Sequence, residues 1–326
     1  MTWLTWRQFR AQAAWVFGGV AVFAAVLAAT GPRLAELHRT AGDQFFQLLS
    51  SSYDDLYLLG ALLVRAVPAV IGVFWGAPLV ARELETGTHR LVWNQSVTRT
   101  RWLAAKLGLV GLAAVAATGL LTLATSWWCV PIDQAIAHGG DAPGFPDRLS
   151  RMIFDSRGVV PVGWAALAFT LGVAVGIVLR RTVPAMAATL AGLAVAEGVM
   201  SILVRPMLIA PDKVTVPITA DNLQGLRNGA LSVDFDRHSA WVVAERTLDA
   251  AGQPVPLPPA FTNCMQSGGD PNVCGAVLGK LGYRQETTFH PAGHFWPLQW
   301  AETGLLLALA LLIAALCLRW VRRQPA

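Results

Sequence analysis

Arg65, Glu197 and Glu302 each stand inside a long apolar run. An ionised side chain at the centre of a hydrocarbon layer costs about 2.5–3.5 kcal/mol or more, so such residues turn toward one another, a carbonyl or a wet cavity. Arg65 lies about eight residues from one end of its run and Glu197 about seven, which at 1.5 Å per residue puts both on the order of 10 Å deep. Glu302, about four residues in, is a shallower second carboxylate. The available chemistry is charge pairing. Arg65 is expected to pair with Glu197 or Glu302, either where helices line a polar path or only to fix helix packing.

A second set is Cys264, Cys274, His290 and His294. Nine residues separate the two cysteines in a segment rich in Asn, Gly and Pro, and an oxidising exterior makes a disulfide the default there. The alternative, two Cys followed by His-x-x-x-His, superficially resembles a zinc site. Zinc sites bring their cysteines within about two to four residues, and Pro291 between the histidines works against a helix presenting both; no metal is expected. Cys317 reads as a small packing residue, and Cys129 has no evident partner. Enzyme motifs are missing: there is no His-Glu-x-x-His, no Gly-x-Ser-x-Gly and no Gly-x-Gly-x-x-Gly after a strand. Gly275-Ala-Val-Leu-Gly279-Lys280-Leu281 has three residues between its glycines where a phosphate-binding loop needs four. No catalytic residue is assigned, and no cofactor is expected on this chain.

The elements that position these residues follow from composition. The chain is 54% hydrophobic and only 14% charged, against about a quarter charged in soluble domains. Its thirteen Trp suit many membrane interfaces. A net charge of +5 would suit a nucleic acid only if the cations shared one solvated face. They follow topology instead, and no nucleic-acid partner is expected.

Six runs are long enough to span a bilayer: Gln12 to Thr30, Leu58 to Ala81, Leu103 to Trp128, Val160 to Leu179, Val183 to Val204 and Leu298 to Leu318. Only Arg180, Arg181 and Thr182 join the fourth and fifth, so both end on one side. With the N-terminus inside, the inner segments carry twelve cations against Glu83 and Glu85, while sixteen acids outnumber twelve cations outside. The positive-inside rule selects this orientation, with both termini cytoplasmic in the cell membrane. A rival reading makes the first run a cleaved signal peptide, since Arg7 and Arg10 precede it. Trp3, Trp6, Phe9 and Arg10 have helical spacing, which fits an amphipathic interfacial helix over residues 1–11 or a simple extension of the first span. Gly31 to Tyr57 and Cys129 to Val159 read as polar outer loops. Residues 205–297 are long enough for a small folded extracellular domain, with a hairpin or edge strands around Trp241 and the turn at Ala251-Gly252. The fold class is an all-α polytopic membrane protein of six transmembrane helices with a small mixed domain between helices five and six.

Between the second and third spans lies a polar island, residues 82–106, holding Arg82, Arg90, Arg99, Arg101 and Lys106 with Glu83 and Glu85. Glu83-x-Glu85-x-Gly87-Thr88, then Leu91, then Ser96-Val97-Thr98-Arg99 and Lys106 leading into the next span, resembles the loop after the second helix in permeases of the ABC-2 type exporter family. The six-helix plan is similar too, and Phe295-Trp-Pro-Leu-Gln-Trp-Ala-Glu-Thr-Gly304 looks like actinobacterial members.

The resemblance implies a permease paired with a second copy of itself, or with a sister permease, and driven by two separate cytoplasmic ATPase subunits that carry ATP and Mg. It also implies that the island is the coupling element, with Glu83, Glu85, Gly87 and Thr88 as the docking turn and Arg90, Arg99 and Arg101 as cationic contacts; a plain positive-inside loop is the alternative. Arg65, Glu197 and Glu302 would then flank the path of an amphiphilic, drug-like or lipid-like substrate entering near the fifth and second spans, with membrane lipid around it. Rival classes are a membrane sensor or immunity protein that binds an extracellular ligand, and a multi-span membrane enzyme. The long outer segment with its cysteines departs from the family's common plan.

Overall fold

The computed structural model describes residues 2–87, 98–138, 145–227, 230–233, 240–256 and 259–323. They form two compact units, one of residues 1–208 with 296–326 and one spanning Ile209–Phe295.

The first unit holds six helices long and apolar enough to cross a membrane, at the six runs expected. Helix α1 covers Thr2–Ala41; α2 (Ser51–Ile71) passes through a π-helical turn at Gly72–Gly76 into α3 (Ala77–Glu85). Helix α4 is Arg99–Trp128, α5 Val160–Leu179, α6 Thr182–Val199 and α7 Phe295–Arg323. Thr98 caps α4 by accepting from the Arg101 N–H at 3.3 Å. Arg180, with φ 55°, ends α5 in the left-handed conformation and makes the tight return into α6.

Two expectations about α1 concern its ends. It runs unbroken from Thr2, so residues 2–11 are continuous with the first span, the second of the two readings of that stretch. Phe9 is buried there against Trp75, with rings 4.6 Å apart edge to face. At the other end the helix continues through Pro32 to Ala41, where a loop was read from Gly31. Proline removes one helical N–H, but packing holds the helix together around it. The Trp127 ring lies so close to Gly31 that a Cβ there would meet it at 2.7 Å, and Trp128 Nε1 donates to Thr30 Oγ1 at 2.9 Å. The segment after Cys129 likewise holds short helices at Val130–Ala137 and Arg151–Phe154.

Helix α5 is the most buried of the six. Gly72 and Gly76 of the π turn approach the α5 backbone at Ala168 and Phe169, while Gly172 and Gly176 approach Gly72 and Ala77 in return. Small residues at such crossings let backbones pack directly, which is how helices associate where no water drives them together. Ile71, Trp75, Leu103, Val110, Phe169 and Val173 fill one core, toward the end that carries the polar island. Leu27, Leu34, Tyr57, Trp128 and Ile132 fill a second core at the other end.

The second unit is mixed. Strands β1 (Asp212–Pro217), β5 (Arg284–His290) and β4 (Trp241–Leu248) form an antiparallel sheet in the order β1-β5-β4, and β2 (Leu223–Arg227) pairs with β3 (Ala230–Val233). After β4 the chain turns back around Asp249, whose carboxylate accepts from the N–H groups of Ala251 and Gln253, and Gly252 takes φ +79°. From this turn the chain returns along β4 through the Leu248–Pro254 bridge, with the Val255 N–H donating to the Thr247 carbonyl at 2.9 Å, while β4's long partner is β5. Ile218, Leu231, Phe261 and Leu278 make the core.

Cys264 and Cys274 form the disulfide joining helices Pro259–Gln266 and Pro271–Lys280. With both sulfurs in that bond the zinc alternative loses its thiolate ligands, although His290 and His294 do meet, Nδ1 to Nδ1, at 3.2 Å. Closing so short a loop contributes about 2–3 kcal/mol. Reduction, or a Cys264→Ser/Cys274→Ser pair, is therefore expected to speed limited proteolysis within 209–295; equal resistance with and without reductant would count against that contribution.

Candidate functional site

The residues expected to do chemistry fall at the two ends of the membrane unit. At the end that carries the polar island, Lys106 of α4 is only 3% exposed. Its ammonium pairs with Glu83 of α3, donates to the Leu79 carbonyl at 3.2 Å and lies 4.7 Å from the Trp102 ring centroid. An ammonium buried at this depth needs such partners to remain charged. Glu85, one turn-side on the same helix, is exposed and reaches the start of α6: its carboxylate accepts from Thr182 N–H at 2.9 Å and from Thr182 Oγ1 at 2.7 Å. This carboxylate caps a helix whose N-cap residue, Arg181, makes no side-chain cap bond of its own, and its negative charge suits the positive end of the α6 dipole.

Gly87 turns the chain with φ +73°, as the turn there requires. Thr88 and Arg90 lie outside the described residues. Arg99 opens α4, and Arg101 supplies the N–H held by the Thr98 cap. The two acids expected to wait for a partner protein are thus engaged within the chain, Glu83 with α4 and Glu85 with the α5–α6 turn.

At the opposite end of the membrane unit five charged groups form one connected string. Arg205, just past a π turn at Met200–Val204 that extends α6, is 1% exposed. It makes a two-pronged pair with Glu302 of α7, Nε to Oε2 at 2.7 Å and Nη2 to Oε1 at 2.8 Å, and also pairs with Asp155. The face of Phe154 covers its guanidinium at 4.4 Å. Arg65 of α2 stands 3.9 Å from Asp155 and 3.7 Å from Glu197 of α6, and donates to the Arg151 carbonyl at 3.4 Å.

Arg65 therefore meets Glu197, one of its two expected partners, and not Glu302. Asp155 and Arg205 are the residues that sequence reading missed, because both stand at the margins of apolar runs and were counted with the outer loops. One signal was present: Glu302 inside a span required a cation, and Arg205 is the first cation after the fifth run.

The two halves of the string differ. Arg205 and Glu302 are wholly buried in bidentate geometry, whereas Arg65 and Glu197 are about one-third exposed and meet at longer range. Three carboxylates against two guanidiniums leave the string with one negative charge in excess.

The loop carrying Asp155 is pinned from several sides. Gln299 of α7 accepts from the N–H groups of Val159 and Val160, each at 2.9 Å, and donates to the Phe154 carbonyl at 3.0 Å. Thr122 donates to the Gly158 carbonyl at 2.9 Å, and Arg157 reaches the Thr125 carbonyl at 3.2 Å while covering the Tyr57 ring. Just beyond α4, burial pushes the Cys129 thiol up to about 12 against the opposing pull of Arg157, which leaves it protonated and inert at neutral pH. Burial likewise raises the Asp133 carboxyl, opposed by Arg157 and Arg148.

No curated protein and no solved structure matches the chain. Residues 17–205 match the family described as ABC-2 membrane transporter related, a stretch that covers more than half of the chain and takes in the second, third and fourth spans whole, most of the first and fifth, Glu83 and Glu85, and both Arg65 and Arg205. With that match on top of the six-helix plan, the chain belongs to the ABC-2 membrane transporter related family and is a multi-pass membrane permease of an ABC transporter.

Proposed function

We propose that this permease exports an amphiphilic, drug-like or lipid-like compound across the cell membrane, in a dimer with itself or a sister permease, powered by cytoplasmic ATPase subunits that carry ATP and Mg. Both termini lie on the ATPase side. The observation that carries the reading is the clamp between Glu85 and Thr182. The island after α3 is the segment on which an ATPase would act, and its last helical acid holds the start of α6. Displacement of the island is thereby passed to α6, whose far end holds Glu197 and leads into Arg205. ATP binding biases the balance between two arrangements of the bundle, and the clamp makes that bias felt at the outer string. Arg65 and Glu197, about one-third exposed and loosely paired, are the groups that a polar part of the substrate would meet.

The test is purification from the native host in mild detergent. Wild type is expected to retain an ATP-hydrolysing subunit. Glu85→Ala and Thr182→Val, which leave the Glu83 and Lys106 pair untouched, are expected to lower hydrolysis by the complex about tenfold, the equivalent of 1.4 kcal/mol, in a protein that stays folded with only the small drop in melting temperature that loss of one helix cap brings. Wild type that brings down no ATPase, or variants that hydrolyse ATP at the wild-type rate, would overturn the coupling role.

A further inference from the structure

A cavity of about 430 Å³ opens between α1, the π turn with α3, and α4, within the range of about 300–1,000 Å³ typical of small-ligand sites. It has two ends. Phe9, Phe74 and Trp75 line one, and Arg82, Glu83 and Lys106 line the other. The π turn shapes the apolar end: Gly72 and Gly76 press onto α5 while Phe74 and Trp75, from the same turn, line the cavity. π turns inside helices recur at functional sites because the extra residue re-aims side chains. At the polar end Glu83 and Lys106 neutralise each other. Arg82 is exposed and has no ion-pair partner among the described residues. Among the described residues the cavity thus presents one cation without an ion-pair partner, Arg82, at its mouth and aromatic rings within.

We propose that this cavity seats an anionic phospholipid of the leaflet on the island's side, its phosphate at Arg82 and its upper acyl chain against Phe74 and Trp75. Three features select that occupant. The single net positive charge matches one phosphodiester, and a guanidinium binds phosphate oxygens in two-pronged fashion. The polar end coincides with the point where the second span gives way to the cationic island, the depth of lipid head groups. The apolar end lies deeper, on the span itself, where an acyl chain runs. The site is separate from Arg65, Glu197 and the outer string, and it does not depend on what the permease exports or on the clamp at Thr182.

The experiment is native mass spectrometry of delipidated full-length protein titrated with phosphatidylglycerol, with phosphatidylcholine and with glycerol phosphate. Wild type is expected to bind its first phosphatidylglycerol about tenfold more tightly than phosphatidylcholine. Arg82→Gln, which leaves the buried Glu83 and Lys106 pair in place, is expected to abolish that preference, and Arg82→Lys to keep most of it. Equal affinity for the two lipids in wild type, or a preference that survives Arg82→Gln, would overturn the proposal. So would glycerol phosphate occupying the site as tightly as the lipid, since the recognition would then be of a free anion.

Discussion

Arg205→Met is expected to lower the stability of the membrane unit by about 3–5 kcal/mol, because breaking a buried ion pair leaves an uncompensated charge behind. Glu302 is fully buried and both of its oxygens accept from Arg205. The variant strands that carboxylate among apolar helices, and Asp155 is left with Arg65 alone at 3.9 Å. The double variant Arg205→Met/Glu302→Leu is expected to recover most of the loss, since replacing a whole buried pair by packed apolar groups is close to neutral. Arg65→Gln is expected to cost no more than about 1 kcal/mol, as for exposed pairs, because its partners are farther and its guanidinium is partly open. Denaturation of the four proteins in mixed micelles distinguishes these outcomes. If Arg205→Met matches Arg65→Gln, the buried pair does not hold α6 to α7.

That contrast separates two roles within one string. The Arg205 end fastens the loop at Asp155 and the far end of α6 to α7, and the Arg65 end, with weaker and longer contacts, is the part that can be rearranged at little cost. In the proposed export cycle the anchor would carry displacement and the softer pair would yield to a substrate.

How much of this was legible in the sequence depends on the range of the interaction. The six spans were readable because each is a continuous apolar run, a property of neighbours in the chain. The cysteine pair was readable for the same reason. Proline at position 32 misled, because its local effect is to break helices, and what overrides it is the Trp127 and Trp128 packing from α4. Glu85 and Thr182 lie 97 residues apart, as do Arg205 and Glu302. Nothing local distinguishes Glu85 that caps another helix from Glu85 that awaits a partner. The need for a partner at Glu302 was visible, but its identity required the bundle.

Gly172→Ala is expected to be among the most damaging small substitutions in the chain, costing about 3 kcal/mol as overpacking at a site with no room. An added Cβ would meet the Gly72 carbonyl oxygen at 2.4 Å, the Ala77 nitrogen at 2.7 Å and the Gly76 carbonyl carbon at 3.0 Å. All three are backbone atoms of the π turn and α3, so no side chain can swing aside, and the helices must separate. Separation would loosen Gly76 from Phe169 and Gly176 from Ala77 together, because one crossing carries all of these contacts. The control is Gly198→Ala on α6, where an added Cβ meets nothing within 4 Å. There helix propensity alone acts, and a gain of about 0.5–1 kcal/mol is expected. Melting of the two variants in the same detergent gives opposite signs if direct backbone contact holds α5 to the π turn. A Gly172→Ala protein as stable as Gly198→Ala would mean that the crossing tolerates a methyl group. The π turn would then owe its position to Phe9 and Trp75 instead.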